Sequence, residues 1–149
     1  MSYDGVVLAA AAGDAAVLDR LHPRSPLVIL GERTVPARFS QVRMDNRAGA
    51  SQATMDLWSR GARNIALLGG AVGDEDGMST DRAAGFQDAL AEAGVGRDAG
   101  NVIPTGARPE DGYAAASALW DAGVSIDAML CVTDSLALGA LAAAAARGI

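Results

Sequence analysis

The sequence predicts an α/β fold, a doubly wound parallel sheet with helices on both faces, and three observations carry that prediction. Short apolar runs alternate along the chain with longer amphipathic ones. The run Asn64–Leu68 (NIALL) is apolar from Ile65 on rather than alternating, as strands buried on both faces are, and Ala128–Val132 (AMLCV) is strand-like. Between successive runs lies enough chain for a helical crossover, which parallel neighbours require.

Taken in order, Gly5–Ala10 (GVVLAA) predicts a strand, Asp14–Leu21 a helix and Leu27–Leu30 a strand. A loop with Gly31 and Pro36 leads to a short extended segment at Gln41–Met44. Arg47–Arg60 reads as a helix, because Ala50, Ala53, Thr54, Leu57 and Trp58 recur at spacings of three and four, and Gly61 stops it. Asn64–Leu68 is a buried strand closed by Gly69 and Gly70. From Ser79 a long helix presents Ala83, Phe86, Ala89, Leu90 and Ala93 on one face before Gly94, with Ser79 or Thr80 as its N-cap. Val102 and Ile103 fit a strand, and Glu110–Asp121 a helix burying Tyr113, Ala116, Leu119 and Trp120. Ala128–Val132 and Leu136–Arg147 close the chain as strand and helix. Because ligands of such sheets sit beyond the carboxyl ends of the strands, Gly69–Arg82, Pro104–Glu110 and Thr133–Ser135 are the segments to search for chemistry.

Composition narrows the function. The chain has 149 residues, half of them hydrophobic, with a formal charge of −6 that repels phosphate backbones, so direct binding of duplex DNA by this segment is not expected. All 12 cations are Arg, which removes lysine Schiff-base and lysine general-base mechanisms. One Cys and one His cannot make a zinc site or an internal disulfide, and no metal or cofactor is expected. No window reaches the roughly 18 consecutive apolar residues of a membrane span, and no membrane partner is expected. With no charged-then-apolar leader at its start, a cytoplasmic location is expected.

Catalytic candidates are few. His22 stands in a loop before Pro23 with no Ser or Asp elbow around it. Cys131, between Leu130 and Val132 in a strand, has the setting of an unreactive thiol. Gly69-Gly70 follows a strand without a GxGxxG or GxxxxGK[ST] pattern, and Asp74, Glu75 and Asp76 lack the alternating ligand spacing of a calcium loop. No residue is assigned a catalytic role. Arg82 is different, since the first turn of a helix disfavours a cation unless something polar or anionic engages it. Thr133 and Asp134 follow a buried strand and precede an apolar helix, so either can cap that helix while facing the crevice.

Five segments in order, DGVVLAA, MDNRAGA (Met44–Ala50), GARNIALLGG (Gly61–Gly70), STDRAAGFQDALAEAG (Ser79–Gly94) and VTDSLALGAL (Val132–Leu141), resemble the effector-binding core of LacI/GalR-type transcriptional repressors, itself similar to periplasmic sugar-binding proteins. The resemblance implies two α/β lobes holding a small, sugar-like effector between them, with residues 1–38 a remnant of the first lobe and 39–149 most of the second. It implies that the amino-terminal helix-turn-helix lies outside this chain, that operator DNA is met only through it, and that the whole protein is a homodimer. Arg82 matches the family's effector-binding Arg, whose planar fork of donors suits hydroxyls or a carboxylate. Thr133 and Asp134 match the usual Asn-Asp pair, with Thr in place of Asn. Met44 and Ala107 fall at further effector-contacting positions; the family often has an aromatic ring near Ala107, and some members an Asp where Gly31 stands. The function implied is a switch, in which effector binding favours one lobe orientation and so changes the spacing of two DNA-binding heads. The alternative is the solute-binding protein of a sugar transporter. An α/β enzyme using the Gly69–Gly77 loop and a structural module are the remaining classes.

Overall fold

A computed structural model of the protein describes residues 3–9, 18, 20, 25–32, 35–70, 77–95 and 101–149. Leu18 and Arg20, the described residues of the expected Asp14–Leu21 helix, are helical. His22, Asp74, Glu75 and Asp76 lie outside the described residues.

The chain divides into two compact units. In the first, β1 (Val6–Ala9), β2 (Leu27–Leu30) and β3 (Ser40–Val42) form a parallel sheet in that order. Among the described residues of this unit, Ile29 of the central strand is fully buried. From β3, Gln41 Nε2 donates to the Gly31 carbonyl at 2.6 Å, and just after β3 the Met44 N–H donates to Glu32 at 2.9 Å. These bonds fasten β3 and the chain after it to the turn after β2, and the compact unit includes residues up to Asp45.

The second unit begins at Asn46 and holds α1 (Asn46–Ser59), β4 (Ile65–Leu68), α2 (Met78–Glu92), β5 (Asn101–Ile103), α3 (Pro109–Asp121), β6 (Ala128–Cys131) and α4 (Asp134–Ala145). Its sheet is parallel in the order β5-β4-β6. The register Leu68↔Ile103 and Leu68↔Cys131 brings the carboxyl ends of all three strands level. All four residues of β4 are buried, and their alternation splits the core in two. Ile65 and Leu67 pack with Phe86, Leu90, Val132 and Leu136, with Leu57 and Trp58 of α1 against them. Ala66 and Leu68 pack with Ala116, Leu119, Ala140 and Ala143 of α3 and α4. A sheet filled on both faces by crossover helices is the doubly wound arrangement that the apolar runs predict.

At the amino ends of the strands, the Asp127 carboxylate accepts the backbone N–H groups of Arg63 at 2.9 Å and Asn64 at 2.8 Å, joining the entries to β4 and β6. These bonds hold its pKa below the ordinary Asp value. The helices pair through glycines. A Cβ on Gly85 of α2 would strike the Arg47 carbonyl of α1, one on Gly112 of α3 the Leu136 backbone of α4, and one on Gly139 of α4 the Pro109 backbone of α3. Backbones therefore meet with no side chain between them.

Two expectations are corrected here. Tyr113 is exposed, not buried, because the face of α3 turned to α4 is centred on Gly112, Ala116 and Leu119. Ser79 and Thr80 do not cap α2, which starts at Met78 and so encloses both in its first turn. No helix among the described residues is long and apolar enough to cross a membrane.

Candidate functional site

The carboxyl edge of the β5-β4-β6 sheet gathers the segments that follow its three strands. After β4, Gly69 turns the chain at φ +101°, and its N–H donates to the Ile103 carbonyl at 2.9 Å. Only glycine fits there, both for that conformation and because a Cβ would strike the side chains of Val132 and Leu136. After β6, the Val132 N–H donates to the Leu68 carbonyl at 3.0 Å, which extends the sheet pairing by one residue and fixes where the next turn begins. Thr133 then takes an extended conformation and caps α4, its hydroxyl accepting the Leu136 N–H at 3.4 Å. Asp134 follows as the first residue of the helix, exposed, where a carboxylate suits the helix dipole.

Arg82, half-buried in the second turn of α2, reaches across this edge. Its Nε donates to Asn46 Oδ1 at 2.8 Å, and its Nη1 donates to the Val132 carbonyl. Asn46 is the buried first residue of α1, 5% exposed. One guanidinium thus ties the start of α1 and the end of β6 to α2. Of the five N–H donors of an arginine, these two bonds use two.

Of the residues singled out in the sequence, Arg82, Thr133 and Asp134 come to this edge together, with Arg82 and Thr133 joined through adjoining Val132. Ala107 is exposed in the turn between β5 and α3, at the same end of the sheet on the far side of β4 from Thr133. The Asp111 carboxylate accepts the Arg108 N–H at 3.0 Å and closes that turn. Met44 belongs to the first unit, where its side chain is exposed. Asn46 was not singled out. Its position at the head of a predicted helix reads as an ordinary cap, and only the partner 36 residues on reveals its other use. Gly69-Gly70 serves the turn just described.

A groove of about 350 Å³ lies along β6, with Trp120, Ile126, Met129, Cys131 and Leu141 among its walls. Neither Arg82 nor Thr133 lines it, and its apolar walls offer little to orient a polar molecule. Cys131 is half-buried there, and desolvation pushes its thiol pKa up. Among the described residues no group of three or more His, Cys, Asp or Glu could hold a metal ion.

Residues 2–149 match the family of periplasmic binding proteins and the sugar binding domain of the LacI family. The chain belongs to that family. Among curated members, the HTH-type transcriptional regulator AscG of Escherichia coli K12 is 27% identical over 124 residues, covering 83% of this chain and 36% of AscG. The HTH-type transcriptional repressor PurR of Salmonella paratyphi B is 30% identical over 125 residues, with the same two coverages. The crystal structure of a LacI transcriptional regulator from a Rhodococcus species superposes with a TM-score of 0.83 at 27% identity, covering 97% of this chain and 53% of that one. A LacI-family regulatory protein from Chloroflexus aggregans gives 0.78 at 29% identity, covering 98% and 52%. The chain therefore spans 36% of the length of these curated family members and about half of the solved ones. Its fold is the periplasmic-binding-protein-like α/β fold of LacI effector domains, in part.

Proposed function

We propose that this chain is the ligand-sensing core of a bacterial DNA-binding transcriptional regulator, a repressor, that binds a small sugar-like effector and passes that event allosterically to operator binding. One observation carries the reading. At the carboxyl edge of a parallel sheet, where α/β folds bind ligands, a half-buried guanidinium is held by two protein acceptors and keeps donors to spare. Hydroxyl groups of a polyol, or a carboxylate, match such a fork. Arg82, Thr133, Asp134, Met44 and Ala107 are the effector contacts assigned in this reading. The family description names a sugar binding domain, and AscG and PurR are transcriptional regulators, which favours a regulator over a transporter's solute-binding protein.

The work of this core is binding and conformational selection. An effector shifts operator affinity only as far as it prefers one conformation over the other. Operator DNA is contacted by an amino-terminal helix-turn-helix, the working form is a homodimer, and the compartment is the cytoplasm. Residues 1–38 are assigned to lobe one and 39–149 to lobe two.

The test is a thermal-shift and calorimetric screen of the intact protein against monosaccharides, disaccharides, their phosphates and purines, with operator affinity measured beside it. A compound that binds wild type, changes operator affinity and binds Arg82→Ala at least tenfold more weakly supports the reading. Equal affinity for wild type and Arg82→Ala removes Arg82 from the site, and no binding across the whole screen removes the sensing function.

A further inference from the structure

We infer that Asn46 is a positioning residue for Arg82, setting the direction of its guanidinium and leaving its positive charge to the bound molecule. The inference rests on the sensing function proposed above and on the chemistry of the groups that hold Arg82.

Arg63 stacks on Trp58 and donates to peptide carbonyls, while three other arginines of the second unit meet carboxylates. Arg47 donates to Asp88, Arg60 to Asp56 and Arg147 to Asp121, each at 2.7 Å. Arg82 is instead held by an amide oxygen and a peptide carbonyl, both neutral. A carboxylate at either place would form an ion pair and spend the charge locally, whereas neutral acceptors fix geometry and leave the charge outward.

Direction follows from which nitrogens are held. With Nε bound to Asn46 and Nη1 to Val132, rotation about the last side-chain bonds would break one bond or the other, so the guanidinium plane is fixed. Both N–H groups of Nη2 and one of Nη1 are left. Asn46 itself cannot swing away, because it is buried at the head of α1, and α1 is pinned to α2 where Gly85 lies against the Arg47 carbonyl. Without the Asn46 oxygen, Arg82 keeps a single tether and samples several orientations. Ordering it again on binding then costs affinity.

The experiment uses the intact protein labelled with 15N-arginine, the Arg82 Nε–H signal being assigned by its loss in Arg82→Lys. In Asn46→Ala that N–H should exchange with water at least tenfold faster than in wild type. Asn46→Asp, which keeps an acceptor oxygen at the same place and guards against a folding defect in the alanine variant, should preserve its protection. Calorimetry on D-ribose, D-glucose, D-galactose, D-gluconate and D-glucose 6-phosphate forms the second arm. Any of these that binds wild type should bind Asn46→Ala about tenfold more weakly, and the Asn46→Ala/Arg82→Ala double variant no more weakly than Arg82→Ala alone. Asn46→Asp should bind the two anionic compounds less well relative to the neutral ones. Unchanged Nε–H exchange in Asn46→Ala, or affinity losses that add in the double variant, overturns the positioning role. If none of the five binds wild type, the sugar-sensing function is what fails, and the exchange arm still decides whether Asn46 holds Arg82.

Discussion

Two glycine-to-alanine substitutions in helices should shift stability in opposite directions. At Gly139 an added Cβ would lie 2.7 Å from the Tyr113 nitrogen and 2.8 Å from the Pro109 carbonyl carbon, and would overlap the Pro109 oxygen more deeply. All three are backbone atoms of α3, so no side chain can turn aside to make room. Relief requires α3 and α4 to part by on the order of 1 Å, which forfeits a quarter to a half of the dispersion energy across the contact. Overpacking of this kind costs ~1–3 kcal/mol, against a gain of about 1 kcal/mol from the better helix propensity of alanine. Since the overlap is with rigid backbone, we expect the upper part of that range and a net loss of about 1–2 kcal/mol. At Gly49 of α1 an added Cβ meets nothing within 4 Å, so only the propensity gain of roughly 0.5–1 kcal/mol remains. Urea unfolding of the intact protein, followed by circular dichroism, gives both values against wild type. Gly139→Ala as stable as wild type, or Gly49→Ala as destabilised as Gly139→Ala, would refute the argument from backbone contact.

Three further outcomes can be checked. Arg82→Ala should lower stability by ~1–3 kcal/mol in urea, because it strips a donor from the buried Asn46 oxygen and from the Val132 carbonyl; a loss below about 0.5 kcal/mol would mean that those bonds are replaced by water. Asp127→Asn should be less stable than wild type at neutral pH and converge with it in acid. The folded-state pKa of Asp127 lies below the unfolded value, so its contribution is complete above pH ~4 and disappears as pH falls through the lowered folded value, and a constant difference across that window contradicts this. The Cys131 thiol should react with a disulfide reagent at pH 8 more slowly in the folded protein than in urea, since desolvation suppresses its thiolate; equal rates would show the site open to water.

Much of the fold was legible because buried parallel strands are written as uninterrupted apolar runs. Ile65–Leu68 is buried at every position, and the stop at Gly69-Gly70 marks the end of β4. The helical stripes of α1 and α2 were legible for the same reason, Phe86, Ala89 and Leu90 all being buried. Strand order was not. Periodicity reports whether a run is buried, not its neighbour, and so could not show that β3 pairs with β2 while β4 pairs with β5 and β6. Tyr113 was misplaced because a large aromatic side chain outweighs a glycine in any apolar pattern, although Gly112 is what α4 touches. At the site, Thr133 stood out as a cap, and Arg82 as a cation expected in the first turn of its helix, whereas α2 starts at Met78 and puts it in the second. What the sequence could not show is that Arg82 also braces the head of α1 and the end of β6. Asn46 escaped notice because its partner is distant in sequence, and local patterns carry no information on such pairs.

The backbone contacts at Gly85, Gly112 and Gly139 also bear on how a protein of this kind can be retargeted. Positions where two main chains touch tolerate no substitution without moving a whole helix, so they restrict where inherited variation can accumulate. The turns at Thr105–Arg108 and Thr133–Asp134 are outside those contacts and end on side chains that face water or cap a helix. A library built to change ligand preference should therefore diversify these turns and leave the three glycines fixed. Thr133 is the partial exception: its hydroxyl already serves the Leu136 N–H, so replacements there should be drawn from Ser, Asn and Asp, which can take over that bond while presenting different chemistry at the sheet edge.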